Sequence, residues 1–455
     1  MVAFLGFGVL MGHVASTRVG DANAADRSAL KLVVPSSPSS GTQTASTSTT
    51  AEAPAEQPAS EPEPTPAPAT TPAKSTTKTS SKAGQGGEGE PGSGEGQTSG
   101  GGEPPAGTPD KKLPAIKHVF VIMLSDEPYA SVFGPSSPAR YLTTTLAHKG
   151  ELLPAYHAVA HEELANELAL VSGQGPTAET AANCPKYTEV TATGEGPDEA
   201  VLGSGCVYPR TTKTLPGELE AKHLSWRAYI QGIDEAGGTA GACEHPALGA
   251  VDPSAEQSAS TGAYATFRNP FVYLGSIVDS SSCTADDVGL AGLKADLANA
   301  KRTPSFAYIA PDRCHDGNPT PCTPGAPAGA GDIDPFLEQV VPEITGSKAY
   351  KENGLLVITT DEAPSSGAFA DSSSCCGQPL FPNDPTKTLT GAPRGGGVVG
   401  ALLLSPFVKA GSASQEQYDD FSLLSTIESL FSLGHIGYTA LPAVKAFEPE
   451  LFVSR

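Results

Sequence analysis

Two acidic clusters follow directly after apolar runs of the chain. Asp361-Glu362 comes after Gly354–Thr360, and Ser125-Asp126-Glu127 comes after His118–Leu124. Clustered carboxylates can bind a divalent cation or exchange protons with a substrate. Acidic residues also cap helix N-termini, and that alternative stays open. Because two consecutive carboxylates exceed what a cap requires, we interpret Asp361-Glu362 as part of a functional site.

Four short apolar runs are predicted to form the buried strands that carry these clusters. They are nearly continuous in Val, Ile, Leu and Ala, which is typical of parallel strands covered on both faces. Helical patterns lie between them: Thr214–Ala221 precedes a strand at Trp226–Ile230, and Asp419-Asp420 begins an amphipathic helix that ends at Gly434. The alternation predicts a doubly wound α/β fold, a mostly parallel sheet flanked by helices, with its site beyond the carboxyl ends of the strands. The runs are His118–Leu124, Ser305–Ala310, Gly354–Thr360 and Val398–Ser405.

The amino-terminal part of the chain differs from the rest. Between Pro35 and Lys112 there is no Leu, Ile, Met, Phe, Tyr or Trp, so this segment cannot bury enough apolar surface to offset the entropy of ordering it. We expect a disordered Pro/Ser/Thr/Gly-rich linker at 35–112 and one large domain at 113–455. The apolar start of segment 1–34 favours a truncated export signal or membrane anchor, with a stray apolar end as the alternative.

Eight cysteines, all within 113–455, indicate the compartment. Their spacing lacks the paired CxxC motifs of zinc sites, so we expect disulfides and an extracytoplasmic protein, secreted or membrane-anchored. Cys314 and Cys322 form the most plausible local pair. Cys375 and Cys376 are unusual, because adjacent cysteines rarely pair with each other without strain.

The charge of the chain argues against nucleic acid as a partner. The chain has 50 acidic and 28 basic side chains, a net charge of −22, and 39 of the acidic and 20 of the basic ones lie beyond residue 112. So acidic a domain repels phosphate backbones and anionic lipid headgroups. It also lacks a basic patch with interleaved aromatic residues.

Six segments carry a recognisable pattern: HVFVIMLSDEPYASVFG at 118–134, HEELANELALVSGQ at 161–174, FRNPFVYLGSI at 267–277, PDRCHDG at 311–317, VITTDE at 357–362 and YDDFSLLSTIESLF at 418–431. In the same order they resemble the motifs ENxSYDxVFG, HPSLPNYLALVSGQ, HNPFxYF, PNLCxDxHD, IxWDE and YDHFSLLRTIEDLF. These motifs belong to the phosphoesterase family of bacterial phospholipases C and acid phosphatases. The resemblance spans nearly the whole domain and implies an alkaline-phosphatase-like fold.

The resemblance implies a metal-dependent hydrolase of phosphate esters whose site has changed. In the family a Ser or Thr at a helix N-terminus attacks phosphorus, while carboxylates, Asn and His hold one or two divalent metals. Here Glu163 stands at the nucleophile position. The Glu-Asn metal pair becomes Ser125-Asp126, the His of the YDH motif becomes Asp420, and the His before Asn-Pro becomes Arg268.

The candidate site residues follow from this alignment. Catalytic candidates are Glu163, Asn166 and His315; metal candidates are Asp126, Asp316, Asp361, Glu362 and Asp420; substrate-binding candidates are Arg268 and Asn269. This oxygen-rich set suits Ca²⁺, Mg²⁺ or Mn²⁺ better than Zn²⁺. Two hypotheses remain: a phosphoesterase with an altered site that takes a small phosphate ester, or an inactive family member that keeps the fold to bind a cation or ligand. A third, that the acidic cluster is solvated surface, requires Asp361-Glu362 to point outward.

Overall fold

The computed structural model describes residues 112–235, 241–255, 264–383 and 394–453. The predictions for segment 1–34 and for the linker up to residue 111 lie outside these residues. The strands are β1 His118–Leu124, β2 Glu151–Leu153, β3 Tyr156–His157, β4 Thr191–Glu195, β5 Val201–Ser204, β6 Trp226–Ile230, β7 Asp287–Gly289, β8 Phe306–Ala310, β9 Gly354–Thr360, β10 Ala401–Leu404, β11 Ser412–Ala413 and β12 Tyr418–Asp419. The α-helices are α1 Tyr129–Val132, α2 Glu163–Ser172, α3 Leu215–Ala221, α4 Gly275–Val278, α5 Ser281–Asp286, α6 Ala291–Leu297, α7 Ile333–Gly346, α8 Lys348–Asn353 and α9 Asp420–Phe431.

An eight-stranded sheet forms the centre, in the order β11-β2-β10-β9-β1-β8-β6-β7. β1 is parallel to β8 and β9, and β6 is parallel to β8 and β7. The predicted α/β fold with a mostly parallel sheet is confirmed. β10, however, runs antiparallel to β9 and β2, so the parallel prediction for the run Val398–Ser405 is wrong. A strand that is buried on both faces is continuously apolar whether it runs parallel or antiparallel to its neighbours. The sequence pattern therefore does not show the direction of the strand.

The sheet is covered by helices on both faces. Along β1, Val119, Val121 and Met123 point into a core shared with α2 and α9. The alternate residues Phe120 and Ile122 point into a second core shared with α6 and α7. Every second side chain of a strand faces the same side, so one short apolar run supplies both cores.

Helix α9 forms where the sequence predicts it. The Asp419 carboxylate accepts a hydrogen bond from the backbone N–H of Ser422 at 2.8 Å, which caps the first turn. The helix ends at Phe431 because Ser432 takes a left-handed conformation, with φ of 54°. The predicted end at Gly434 is therefore late, since the serine rather than the glycine terminates the helix.

All eight cysteines are paired. The structure contains the disulfides Cys184–Cys206, Cys243–Cys283, Cys314–Cys322 and Cys375–Cys376. The predicted local bridge Cys314–Cys322 is confirmed, whereas Cys375 and Cys376 pair with each other despite being adjacent. Four disulfides indicate an extracytoplasmic protein. Within the described residues, no helix has the length and apolarity to cross a membrane.

Gly173, which ends α2, is expected to tolerate no side chain. Its φ is +65°, and a Cβ there would collide with the backbone carbonyl oxygen of Ile436. We expect Gly173→Ala to lower the free energy of unfolding by about 2–4 kcal/mol, measured by urea denaturation. Gly346→Ala is the matched control, because no atom beyond its chain neighbours and the backbone of its own helix lies within 4 Å of the added carbon. An equal effect of both substitutions would contradict the expectation.

Candidate functional site

The carboxyl ends of β1, β8 and β9 bring the predicted acidic residues together. The backbone N–H of Asp361 donates to Leu124 O at 3.1 Å, and that of Ser125 donates to Asp316 O at 2.7 Å. The backbone N–H of Asp126 donates to Asp361 Oδ1 at 3.0 Å. The ends of the neighbouring strands β1 and β9 therefore lie side by side at one edge of the sheet.

Helix α2 begins beside these strand ends, with Glu163 Oε1 3.5 Å from Ser125 Oγ, and Asn166 fixes the loop in front of the helix. The Asn166 carbonyl accepts hydrogen bonds from the N–H groups of Val159 and Ala160, both at 2.8 Å. Its amide donates to Ala160 O at 2.7 Å and to Glu162 O at 3.0 Å. Because all of these groups bond to the backbone, Asn166 positions the start of α2. Its catalytic role stays a prediction.

Glu162, Glu163 and Glu362 form a group that we call the glutamate cluster. One carboxylate oxygen from each lies within 4.8 Å of the other two. The Asn183 side-chain amide donates to Glu163 and, at 3.1 Å, to Glu162. The backbone N–H of Glu162 donates to Glu362 Oε2 at 2.9 Å, and His161 Nδ1 lies 3.2 Å from the same oxygen. The cluster is thus held in place by one amide, one imidazole and the start of α2.

Burial makes the charges of the glutamate cluster costly. Glu163 and Glu362 are each 5% exposed. Burial, with repulsion from Glu163, raises the pKa of Glu162 to about 7 and that of Glu362 well above its usual range. Glu162 and His161 also line a cavity of about 290 Å³, together with Ala160, Ala181, Ser365, Arg394 and Gly395. A small ion can therefore reach the cluster from this cavity.

The guanidinium of Arg268 lies among the neighbouring carboxylates. Arg268 is 2% exposed. Its Nη1 donates to Glu167 Oε1 at 2.7 Å and to Asp361 Oδ2. Its Nη2 donates to Met123 O at 2.9 Å, and its Nε lies 3.7 Å from Asp316 Oδ2. Arg268 thus supplies a resident positive charge at the ends of β1 and β9.

One guanidinium does not balance the negative charge at the strand ends. Burial, and then repulsion from Glu163, raises the pKa of Asp126 to about 7. Burial raises the pKa of Asp316 to about 6 and that of Glu167 to about 8, although Arg268 opposes both rises. The carboxyl groups must therefore bind a further cation, share protons or repel one another.

The glutamate cluster can hold a metal ion, whereas Asp361 is already paired with the guanidinium of Arg268. Asp361 is engaged by Arg268, so we derive no metal chemistry from Asp361. The glutamate cluster offers an all-oxygen donor set, which suits Ca²⁺, Mg²⁺ or Mn²⁺. Nearby, Asp316 Oδ2 is buried without a hydrogen-bond partner and lies 3.7 Å from Arg268 Nε, and its carboxyl group is repelled by Glu163. A hard cation held by the glutamate cluster would offset this repulsion.

Comparison with known proteins decides the family. The model of the phosphoesterase family matches residues 114–434, most of the domain. The chain belongs to the phosphoesterase family. No curated protein matches it.

Solved structures resemble the chain only distantly. A sulfatase, PsFucS1 from Pseudoalteromonas sp., is 13% identical over 74% of this chain and 72% of its own, with a TM-score of 0.42. A protein of the alkaline phosphatase superfamily from Vibrio parahaemolyticus is 10% identical over 74% and 71%, with a TM-score of 0.41. The phosphonate monoester hydrolase SpPMH from Silicibacter pomeroyi is 10% identical over 74% and 76%, with a TM-score of 0.39. Similarities this low carry no argument about activity.

The resemblance implies substrate binding by Arg268 and Asn269, and this role stays a prediction. Asn269 is completely buried and donates to Asp287 Oδ2 at 2.8 Å. Arg268 is engaged by Asp361 and Glu167. In the structure both side chains bind carboxylates of the protein itself.

Two further predicted residues, His315 and Asp420, have their hydrogen-bond partners outside the glutamate cluster. His315 is half-buried and pairs with Asp312, Nδ1 to Oδ1 at 2.7 Å, and that carboxylate raises the pKa of the imidazole. Asp420 accepts a hydrogen bond from the Tyr156 hydroxyl at 2.9 Å. Among the described residues, no hydrogen bond or ion pair joins Asp420 to Asp361 or to the glutamate cluster. Their catalytic and metal roles stay predictions.

Sequence reasoning missed four residues of the site: His161, Glu162, Glu167 and Asn183. Spacing could have indicated Glu167, because residues four apart on a helix share a face and Glu163 is already a candidate. No signal in the sequence marks Asn183. Its amide reaches the glutamate cluster because the chain turns back on itself after α2.

Proposed function

We propose that the protein is a non-hydrolysing member of the phosphoesterase family that binds a divalent cation outside the cytoplasm. The observation that carries this proposal is Glu163 at the start of α2, where the resemblance expects the attacking hydroxyl. A buried carboxylate there adds negative charge at the point where an anionic phosphate would dock. The fold is retained, but the electrostatics of the site favour a cation over a phosphate ester.

The neighbouring hydroxyl of Ser125 does not replace the missing nucleophile. Its Oγ lies 3.5 Å from Glu163 Oε1, so a base is within reach. Ser125 is nevertheless completely buried. An attacking oxygen must reach the phosphorus atom of a bound substrate, and the structure offers Ser125 no such access.

The cation would be held by Glu162, Glu163 and Glu362, with Asp126 and Asp316 close by. When bound, it supplies positive charge that these buried carboxylates otherwise lack. The chain contributes the geometry: Asn183 orients two of the glutamates, and His161 orients the third. Ca²⁺, Mg²⁺ and Mn²⁺ are the ions that fit this donor set best.

The other hypothesis is hydrolysis of a small phosphate ester, of the acid phosphatase or phospholipase C type, with Glu163 as the nucleophile. A carboxylate can attack phosphorus, as aspartyl-phosphate enzymes show. This hypothesis requires Glu163 to approach an anion while Glu162 and Glu362 remain beside it.

We further propose that the N-terminal segment tethers the domain to the membrane.

The proposed function is tested with the purified, oxidised full-length chain. We expect no turnover of a phosphomonoester or a phosphodiester with Ca²⁺, Mg²⁺, Mn²⁺ or Zn²⁺. Calorimetric titration is expected to show saturable binding of at least one of the first three ions, and Glu163→Gln should weaken it by about tenfold or more. Glu338→Gln, an exposed glutamate on α7, is the matched control and should change nothing.

Two outcomes would contradict this proposal. Metal-dependent turnover that disappears in Glu163→Gln would establish the hydrolase instead. Absence of Ca²⁺, Mg²⁺ and Mn²⁺ binding in a folded protein would remove the cation site.

A further inference from the structure

The disulfide between Cys375 and Cys376 differs in kind from the other three. Those bonds join cysteines that are 22, 40 and 8 residues apart, so each closes a loop and restricts the unfolded chain. Cys375 and Cys376 are adjacent. A bond between neighbours closes no such loop, and its contribution to stability through chain entropy is correspondingly small. The fold therefore does not depend on this bond as it depends on the others.

The pair is accessible from a second cavity. Cys375 is buried, with 8% of its surface exposed, whereas Cys376 is partly exposed. Cys376 lines a cavity of about 630 Å³ that also borders Tyr418, Lys445 and Glu448. A small thiol can therefore approach Cys376 from this side without unfolding of the domain.

A carboxylate stands next to the two sulfur atoms. Both Sγ atoms and one carboxylate oxygen of Asp419 lie within 4.8 Å of one another. Asp419 uses Oδ1 to cap α9, and the cap fixes the carboxylate beside the cysteines. Two sulfurs and one oxygen form a donor set unlike the all-oxygen glutamate cluster.

The oxidation state decides whether this donor set can bind a metal. In a disulfide the sulfur atoms carry no charge and are poor ligands, whereas the thiolate is the metal ligand of cysteine. Thiolates favour soft and borderline ions such as Zn²⁺ over Ca²⁺ or Mg²⁺. Opening the bond would therefore create a site for a different class of ion from the one that fits the glutamate cluster.

We propose that Cys375, Cys376 and Asp419 form a redox-controlled site for a thiophilic cation of the Zn²⁺ class, closed in the oxidised protein and opened by a dithiol reductant. A thiolate of the reductant attacks one sulfur, and the bond between Cys375 and Cys376 breaks as a mixed disulfide forms. The second thiol of the reductant then resolves it. The reductant leaves as a disulfide, and the two cysteines gain two electrons and two protons. On metal binding the thiols release their protons to solvent.

The test uses the full chain with its other disulfides intact. Limiting dithiothreitol is followed by differential alkylation and mass spectrometry, and we expect Cys375 and Cys376 to be labelled before the other six cysteines. Zn²⁺ affinity is then measured by competition with a chelator. We expect the selectively reduced protein to bind Zn²⁺ roughly a hundredfold more tightly than the oxidised protein.

Variants separate the site from nonspecific binding. The double variant Cys375→Ser, Cys376→Ser should behave like the oxidised protein, and Asp419→Asn should weaken Zn²⁺ binding in the reduced state by about tenfold. A trivalent arsenical, which needs only the two thiols, should still bind Asp419→Asn, and this keeps the test valid if the cap is weakened. Glu338→Gln, at an exposed glutamate on α7, should leave the gain in Zn²⁺ affinity on reduction unchanged.

Two results would overturn the proposal. One is a reduced protein that binds Zn²⁺ no more tightly than the double serine variant. The other is labelling of Cys375 and Cys376 only after the other disulfides have opened.

Discussion

Arg268→Met is expected to lower the free energy of unfolding at pH 7 by about 3–5 kcal/mol, the cost of breaking a buried ion pair by removing one partner. The variant keeps most of the apolar volume but leaves Asp361 and Glu167 buried without their counter-charge. Surface pairs behave differently, because water screens both charges and their loss costs about 1 kcal/mol or less. Urea denaturation of the wild-type protein and of Arg268→Met measures the loss in the free energy of unfolding.

The control for Arg268→Met is a compensating substitution. Glu167→Gln removes one of the stranded carboxylates, so the double variant Glu167→Gln, Arg268→Met should be more stable than Arg268→Met alone. The double-mutant cycle isolates the coupling between the two side chains, which are in direct contact. A loss below about 1 kcal/mol for Arg268→Met would mean that the guanidinium is not the counter-charge that holds these carboxylates.

The part of the site that sequence predicts is the part set by strand ends. The exact bounds of β1 and β9 follow from their apolar runs, and parallel neighbours end at the same edge of a sheet. Asp126 and Asp361 therefore meet, with the backbone N–H of one donating to the carboxylate of the other. This step needs only local pattern and topology.

The role of Arg268 could not be predicted from the sequence, because its side chain contacts residues that are far away along the chain. Its partners Glu167 and Asp361 lie 101 and 93 residues away along the chain. The alignment places Arg268 where the family has a histidine, and that position suggests a contact with substrate. Only the assembled core shows that the long side chain turns inward to Met123 and the carboxylates.

The bond between Cys375 and Cys376 escaped prediction for a similar reason. Pairing of neighbours requires an unusual local backbone, and Cys376 has a φ of 62°, in the left-handed region. Sequence composition does not encode that conformation. The loop-closing pair Cys314–Cys322, by contrast, needs only a short turn.

Without divalent cations, the free energy of unfolding is expected to fall as the pH rises from about 5 to about 8. At the lower end of this range, acidic proteins usually show the opposite behaviour. The pKa values of Asp126, Glu162, Glu167 and Asp316 are raised to about 7, 7, 8 and 6. In the unfolded chain these groups titrate near pH 4. At pH values between the pKa values of the unfolded state and those of the folded state, the folded state binds more protons than the unfolded state. Each rise in pH therefore favours unfolding. Each unit by which a pKa is raised accounts for about 1.4 kcal/mol.

A divalent cation should reverse this trend, because it stabilises the ionised carboxylates and competes with their protons. The midpoints of urea denaturation at pH 5, 6, 7 and 8 are compared in EDTA and in saturating Ca²⁺. We expect the midpoint to decline with pH in EDTA, and this decline to flatten or invert with Ca²⁺. The reason is that an ion that binds only the folded state stabilises it by mass action. Glu162→Gln should make the decline in EDTA shallower by removing one group that titrates in this range, whereas Glu338→Gln should leave it unchanged. A midpoint that rises steadily from pH 5 to pH 8 in EDTA would show that these carboxyl groups are ionised at no cost in the folded protein. In that case Arg268 alone would suffice as their counter-charge, and the glutamate cluster would have no electrostatic need for a metal ion.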